Sequence, residues 1–181
     1  MKKDKEGNIC LISLYVDDLI ITRNAYKLIT EIKNQLSQEF EMKDLGELHY
    51  CLGLEVWREV GKTMVTQSKY VREILNRFNM SDCKVSTIPL EQNVKLCSQD
   101  GSKDAKGTLY RQLVGSLNYL TTTRPDISYA VNILSQFMAK PNDSHWKVLR
   151  YLKGTMNFGL LTLITLMFNW QVFLILIGEE I

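Results

Sequence analysis

Ile9-Cys10-Leu11-Ile12-Ser13-Leu14-Tyr15-Val16-Asp17-Asp18-Leu19-Ile20-Ile21-Thr22 decides the fold: two runs of residues favoured in strands, interrupted by a pair of aspartates. Such runs on either side of a two-residue polar break are hairpin grammar. The spacing therefore predicts an antiparallel hairpin with Asp17 and Asp18 at its tip. An Asp-Asp pair is not the Asn-Gly that a tight two-residue turn selects, because both residues would need an unusual backbone conformation. Taken alone, the pair also suits an ordinary solvated turn. Its flanks favour a second reading. Adjacent carboxylates on a stiff element repel one another unless cations neutralise them, and hard oxygen ligands suit Mg²⁺, which keeps waters and substrate phosphates as its other ligands. Two such ions stabilise the attacking and leaving oxygens of an in-line phosphoryl displacement.

Downstream, Leu28, Ile32, Leu36 and Phe40 recur every four residues and predict an amphipathic helix from about Ala25 to Phe40, with Asn24 as its N-cap. The segments His49 to Trp57 and Lys62 to Gln67 flank Gly61 and read as a second hairpin. Ser68 is the expected cap of a helix in which Tyr70, Val71, Ile74, Leu75 and Phe78 share one face. From Ser81 to Gly107 periodicity fades and polar residues accumulate around Pro89, as in a linker. Three more helices are predicted, about Thr108 to Thr123, Ile127 to Ala139 and Asp143 to Lys153. The breaks between them carry Pro125 and Pro141, which remove a donor and restrict the preceding residue.

With 45% hydrophobic and 23% charged residues, the 181-residue chain has a globular composition, enough for one sizeable core or two small ones. A net charge of +2 does not announce a nucleic-acid partner, so any such partner must be argued from where Lys and Arg sit. Cys10, Cys51, Cys83 and Cys97 form no C-x-x-C pair, and His49 and His145 lie at no ligand spacing from them, which excludes a zinc ribbon and a dithiol redox motif. The basic start followed by Ile9 to Val16 is not a signal peptide: no small-residue cleavage site follows and the run ends in two aspartates.

The apolar strand, the Tyr15-Val16-Asp17-Asp18 box and the second apolar strand together resemble the active-site hairpin of reverse transcriptases. The resemblance narrows to copia-type retrotransposons through Phe40-Glu41-Met42-Lys43-Asp44-Leu45-Gly46-Glu47-Leu48 and Leu52-Gly53-Leu54-Glu55-Val56. It continues through Tyr110-Arg111-Gln112-Leu113-Val114-Gly115-Ser116-Leu117, Thr123-Arg124-Pro125-Asp126-Ile127, His145-Trp146 and Leu149-Arg150-Tyr151-Leu152-Lys153-Gly154-Thr155. These segments stand in the family's order from Ile9 to Gly159. The resemblance implies an α+β fragment: partial polymerase palm, primer-grip hairpin and the start of a thumb over residues 1–80, a linker-like segment 81–107, a helical connection region 108–159 and an apolar tail 160–181. It implies that Asp17 and Asp18 are the second and third catalytic, metal-binding aspartates. Tyr15 and Val16 would lie under the primer end. Leu52 and Gly53 would belong to the primer grip, Lys43 would stand near the triphosphate, and Lys69, Arg72 and Arg77 would meet phosphates, although each basic residue also suits a solvated helix face.

The departures matter as well. The family's remaining catalytic aspartate lies on an earlier strand, and only eight residues precede Ile9, so the fingers and half the palm are expected to be missing. Arg23 replaces the Gly usual in a Thr-Gly-Asn turn. The helix after Trp146 looks about four residues short, close to one turn, which rotates its apolar face by only ~40°. Beyond Gly159 the resemblance stops where the family enters a ribonuclease H domain. Reading the bases of Thr162 onward shifted by two admits a Tyr-Ser stretch and an Asp-Ser-Asp-Trp box, and the codons from Met167 to Val172 force Val, then Leu and Ala. A frameshift at the ribonuclease H start is the inference. Leu160 to Ile177 could instead be a core helix or a marginal membrane helix. Asn169 and Gln171 near the middle and acids after it make a poor span.

The expected function is RNA-directed DNA synthesis by the intact polymerase, using Mg²⁺, an RNA or DNA template-primer and deoxynucleoside triphosphates, with no small-molecule cofactor. The chain alone is expected to be inactive. A noncatalytic nucleic-acid binder and a membrane-tethered product are the alternatives. The intact element would work in the cytoplasm or a virus-like particle.

Overall fold

In the computed structural model, which describes residues 2–3, 9–23, 26–90, 107–138, 146–163 and 171–177, the opening stretch is the expected hairpin. Strand β2 (Ile9–Tyr15) pairs antiparallel with β3 (Asp18–Arg23), from Cys10 opposite Arg23 to Tyr15 opposite Asp18. A short β1 (Lys2–Lys3) adds to the outside of β2. The two-residue period of a strand puts Leu19 and Ile21 on one face. There they are buried with Cys10 against Ile29 and Ile32 of helix α1 (Tyr26–Glu39). The helix spans the predicted range except for its ends. Asn24, the expected cap, lies outside the described residues.

After α1 the chain enters β4 (Met42–Glu47), which does not pair with β3. Between them runs β9 (Gln171–Ile177), antiparallel to both, giving the order β1-β2-β3-β9-β4. The described part of the 160–181 tail thus takes part in backbone pairing. It is also not a helix where it is described: β8 (Gly159–Leu163) and β9 are strands. The physical reason is that β3 and β4 each present a row of backbone donors and acceptors to the space between them. A run of Val, Phe, Leu and Ile has the β propensity to satisfy both rows, and backbone pairing does not depend on how a segment arose. Among the described residues no helix is long and apolar enough to cross a membrane.

A second sheet has the order β5-β6-β7-β8, with β5 (Tyr50–Cys51), β6 (Leu54–Glu59) and β7 (Lys62–Thr66). The segment 49–57, expected as one arm of a hairpin, thus contains a turn of its own at Leu52–Gly53, and a further turn follows at Val60–Gly61. Gly159 on β8 has no room for a side chain: a Cβ there would sit 2.2 Å from the Val65 carbonyl oxygen.

The chain divides into two compact units. One comprises residues 1–52, 56–63 and 161–181, the other residues 53–55 and 64–160. Helix α2 (Ser68–Arg77) therefore belongs with the later helices α3 (Gly107–Leu120), α4 (Ser128–Ser135) and α5 (Lys147–Gly154), not with the β2–β3 hairpin. Val71, Ile74 and Leu75 of α2 share a core with Leu113, Leu117, Leu134, Leu149 and Leu152. The predicted apolar face of α2 is the buried one. Its N-cap is Gln67, not Ser68, and the first-turn N–H of Lys69 is satisfied by Glu55 Oε1 at 2.7 Å. Residues 81–90, expected as linker, lie against α5: Ser86 N–H donates to the Arg150 carbonyl at 3.2 Å. The rest of that segment, 91–106, lies outside the described residues, as does Asp143.

The Thr-Arg-Pro-Asp segment is an internal latch. Arg124, 1% exposed, donates through Nε and Nη2 to both carboxylate oxygens of Asp126 at 2.9 and 2.8 Å. It also reaches the Thr155 carbonyl and hydroxyl at 2.8 and 2.7 Å, closing the end of α5. The Tyr151 hydroxyl donates to Asp126 at 2.8 Å, and the guanidinium lies over the rings of Tyr151 and Phe158. A buried arginine is tolerable only with its donors occupied in this way.

Candidate functional site

The connection between β2 and β3 is Val16–Asp17, one residue earlier than the Asp17–Asp18 turn the sequence suggested. Asp17 is exposed at the tip, and Asp18 is the first residue of β3, half-buried opposite Tyr15. The offset has a backbone reason. A two-residue hairpin turn needs a positive φ, and here Val16 supplies it with φ +53°. A β-branched residue is costly in that region, of order 1–3 kcal/mol, and strain of this kind gathers at functional sites. Tyr15 and Val16, 57% and 77% exposed, present a bare apolar surface beside the carboxylates.

Asp18 has one neighbour the sequence did not suggest. The Cys51 thiol, at the end of β5, lies 4.0 Å from Asp18 Oδ2 and is itself buried. Burial, and then the charge of Asp18, push that thiol's pKa up, so it stays protonated and points a weak donor at the carboxylate. Nothing in the sequence pattern places residues 18 and 51 together; only the packing of β5 does.

Cys51 leads into the Leu52–Gly53 turn, where both residues have positive φ, +49° and +77°. That is the twist a tight hairpin prefers. Leu52 is exposed, and a side chain on Gly53 would meet the Tyr119 hydroxyl at 3.3 Å. Lys43 lies exposed on β4. Beside it, Asp44 accepts from Lys33 Nζ at 2.6 Å and from Gly46 N–H at 2.9 Å, pinning the irregular β4 to α1. Burial by itself would raise the Asp44 pKa, but the hydrogen bonds from Lys33 and Gly46 hold it lower.

Lys69, Arg72 and Arg77 are all exposed on α2, away from its buried face. At 100° per residue they span an arc that also contains Glu73, four residues from both Lys69 and Arg77. The face is therefore less basic than three cations imply.

Within the first unit the structure brings together Tyr15, Val16, Asp17, Asp18 and, through Cys51, the strand leading to Leu52. Gly53, Lys69, Arg72 and Arg77 belong to the second unit. Two adjacent carboxylates suit a Mg²⁺ ion that takes its remaining ligands from water and phosphate, and a protonated thiol does not compete for it. Among the described residues no group of three His, Cys, Asp or Glu is placed to hold a metal.

The family profile described as "Reverse transcriptase (RNA-dependent DNA polymerase)" matches residues 1–92. The chain is 45% identical over 157 residues to the retrovirus-related Pol polyprotein from transposon RE1 of Arabidopsis thaliana, covering 84% of this chain and 11% of that protein. It is 38% identical over 167 residues to the Pol polyprotein from transposon TNT 1-94 of Nicotiana tabacum, covering 85% of this chain and 13% of the relative. An uncharacterised mitochondrial protein of Arabidopsis thaliana is 43% identical over 151 residues, 81% of this chain and 62% of that protein. The chain thus spans about a tenth of the polyproteins it matches. No solved structure matches it significantly.

Proposed function

We propose, for a chain that belongs to the reverse transcriptase (RNA-dependent DNA polymerase) family, that it carries the metal-binding hairpin and primer-side part of a copia-type retrotransposon polymerase and is inactive by itself. The observation that carries this reading is the strained Val16–Asp17 turn, which puts Asp17 at the tip of a paired hairpin and Asp18 at the start of its second strand. Asp17 and Asp18 would hold Mg²⁺. When bound, the metal supplies charge neutralisation at the reacting phosphate. Cys51 orients Asp18 by its thiol. Tyr15 and Val16 offer the primer end an apolar seat, and the Leu52–Gly53 turn offers it a second, rigid support. Lys43 near the triphosphate, and Lys69, Arg72 and Arg77 on phosphates, complete the reading.

Inactivity follows from positioning. Two carboxylates do not by themselves fix two ions for in-line displacement, and among the described residues no third His, Cys, Asp or Glu joins them to hold a metal. Joining the chain to the upstream palm and fingers of a relative should give Mg²⁺-dependent primer extension that Asp17→Asn abolishes. Extension by the chain alone, above its Asp17→Asn control, overturns the inactivity. A joined protein that folds and never extends overturns the polymerase reading. The tail reads as ribonuclease H sequence translated out of frame, and the genomic bases on both sides of Thr162 test that directly.

A further inference from the structure

Residues 53–55 fall in the second compact unit, whereas the residues on both sides of them, 1–52 and 56–63, fall in the first. So short a stretch changes company only if something in the helical unit holds it, and two side chains do so. Glu55, half-buried, accepts the backbone N–H of Lys69 through Oε1 at 2.7 Å. That donor is one of the four that a helix start leaves without an internal partner. The side chain of the Gln67 cap makes no capping bond, and the first turn of α2 contains no acid of its own. Glu55 thus supplies from a distance both the acceptor and the negative charge that the positive end of a helix favours.

The second hold is Tyr119, in the last turn of α3. Gly53, with φ +77°, turns its bare α-carbon to this ring: a Cβ there would lie 3.3 Å from the hydroxyl and 3.6 Å from Cε1. Tyr119 stands edge-on to Tyr70 of α2, with centroids 5.2 Å apart and planes at 83°, an arrangement that aromatic pairs prefer. Lys69 and Tyr70 are consecutive, so one turn of α2 grips Glu55 by its backbone and braces Tyr119 by a ring. Tyr119 is 38% exposed and lies outside the buried core. Its ring supports the Gly53 backbone more than it fills the interior.

We propose that Glu55 and Tyr119 are positioning residues for the primer end. Together they fix the backbone at Gly53, and with it the direction in which the adjoining, exposed Leu52 is presented. The inference rests on the polymerase reading for what Leu52 meets. It adds to that reading two residues that act through the turn and touch neither metal nor substrate.

Two measurements test it. In the full 181-residue chain, a nuclear Overhauser contact between a Gly53 α-proton and the Tyr119 ring is expected. Glu55→Ala should weaken it, and Glu55→Gln, which keeps an oxygen acceptor for the Lys69 N–H, should restore it. In the polymerase joined to upstream palm and fingers, single-turnover primer extension separates amount from alignment: amplitude counts folded, competent protein, and rate reports how the primer end is held. Glu55→Ala and Tyr119→Ala should each lower the rate by roughly tenfold with amplitude kept, and Glu55→Gln and Tyr119→Phe by less than about threefold. Loss of amplitude at unchanged rate would show a merely structural role and overturn the inference, as would a rate and amplitude that both stay at the wild-type level. Absence of the Gly53–Tyr119 contact in the wild type also overturns it, and full persistence of that contact in Glu55→Ala overturns the role of Glu55. If the joined wild-type protein folds and never extends a primer, the polymerase reading falls, while the Overhauser measurement still decides whether Glu55 holds the turn.

Discussion

Val16 shows how much one residue's backbone decides. With φ +53° it performs the turn and leaves Asp18 inside the ladder, so the two carboxylates occupy unlike positions, one at the tip and one in a strand. Val16→Gly should relieve strain of order 1–3 kcal/mol, offset by the ~0.5–1 kcal/mol that glycine loses in chain entropy on folding. A rise of about 1 kcal/mol in urea-unfolding stability is expected; a fall would show that the valine is held by contacts rather than strained. Asp126 makes a second residue-scale case. Burial alone would raise its pKa, but the Arg124 and Tyr151 hydrogen bonds and the Arg124 charge lower it. A carboxylate whose folded pKa lies below its unfolded value of about 3.9 stabilises the protein above that pH, and the contribution is lost as pH falls through the folded pKa. Asp126→Asn should destabilise at neutral pH by about 2–3 kcal/mol, at or below the low end for breaking a buried pair because Asp126 is 35% exposed. It should also remove part of the acid sensitivity below about pH 4. Trp146, packed between Phe78 and Tyr110, is a fluorescence reporter for both effects. The Thr-Arg-Pro-Asp segment was visible as a motif, but its role was not, because the partners Tyr151 and Thr155 come from another helix.

At the scale of elements, period-four and period-two patterns located α1, α2 and the β2–β3 hairpin from residues adjacent in sequence. What they could not locate was the strand between β3 and β4. Deleting 171–177 should leave the backbone groups of β3 and β4 unpaired and raise hydrogen exchange of the amides that faced β9; unchanged protection would mean that β9 contributes no ladder. Gly159→Ala tests the other tail strand. A Cβ 2.2 Å from the Val65 carbonyl cannot be accommodated by side-chain motion. A loss of about 1–3 kcal/mol is expected by thermal melting, as for overpacking elsewhere, and an unchanged melt would show that β8 does not lie close on β7.

At the scale of the whole molecule, the division into units does not follow the order of the chain. The segment that looked like a linker begins by docking on α5, and α2, adjacent in sequence to the hairpins, buries its face with α3, α4 and α5. Local signals established a great deal: the hairpin around Asp17 and Asp18, the apolar face of α2, the helical character of the later half and the family. Each depends on residues within a turn or two of one another, or on motif order, and both survive in a linear string. Tertiary packing alone set the thiol of Cys51 against Asp18 and Glu55 on the first turn of α2, and formed the Arg124 latch. It also decided that an apolar tail with several plausible conformations became strands. In each of these the stabilising partner is distant in sequence, so the energy that selects the arrangement appears only once the chain has closed on itself.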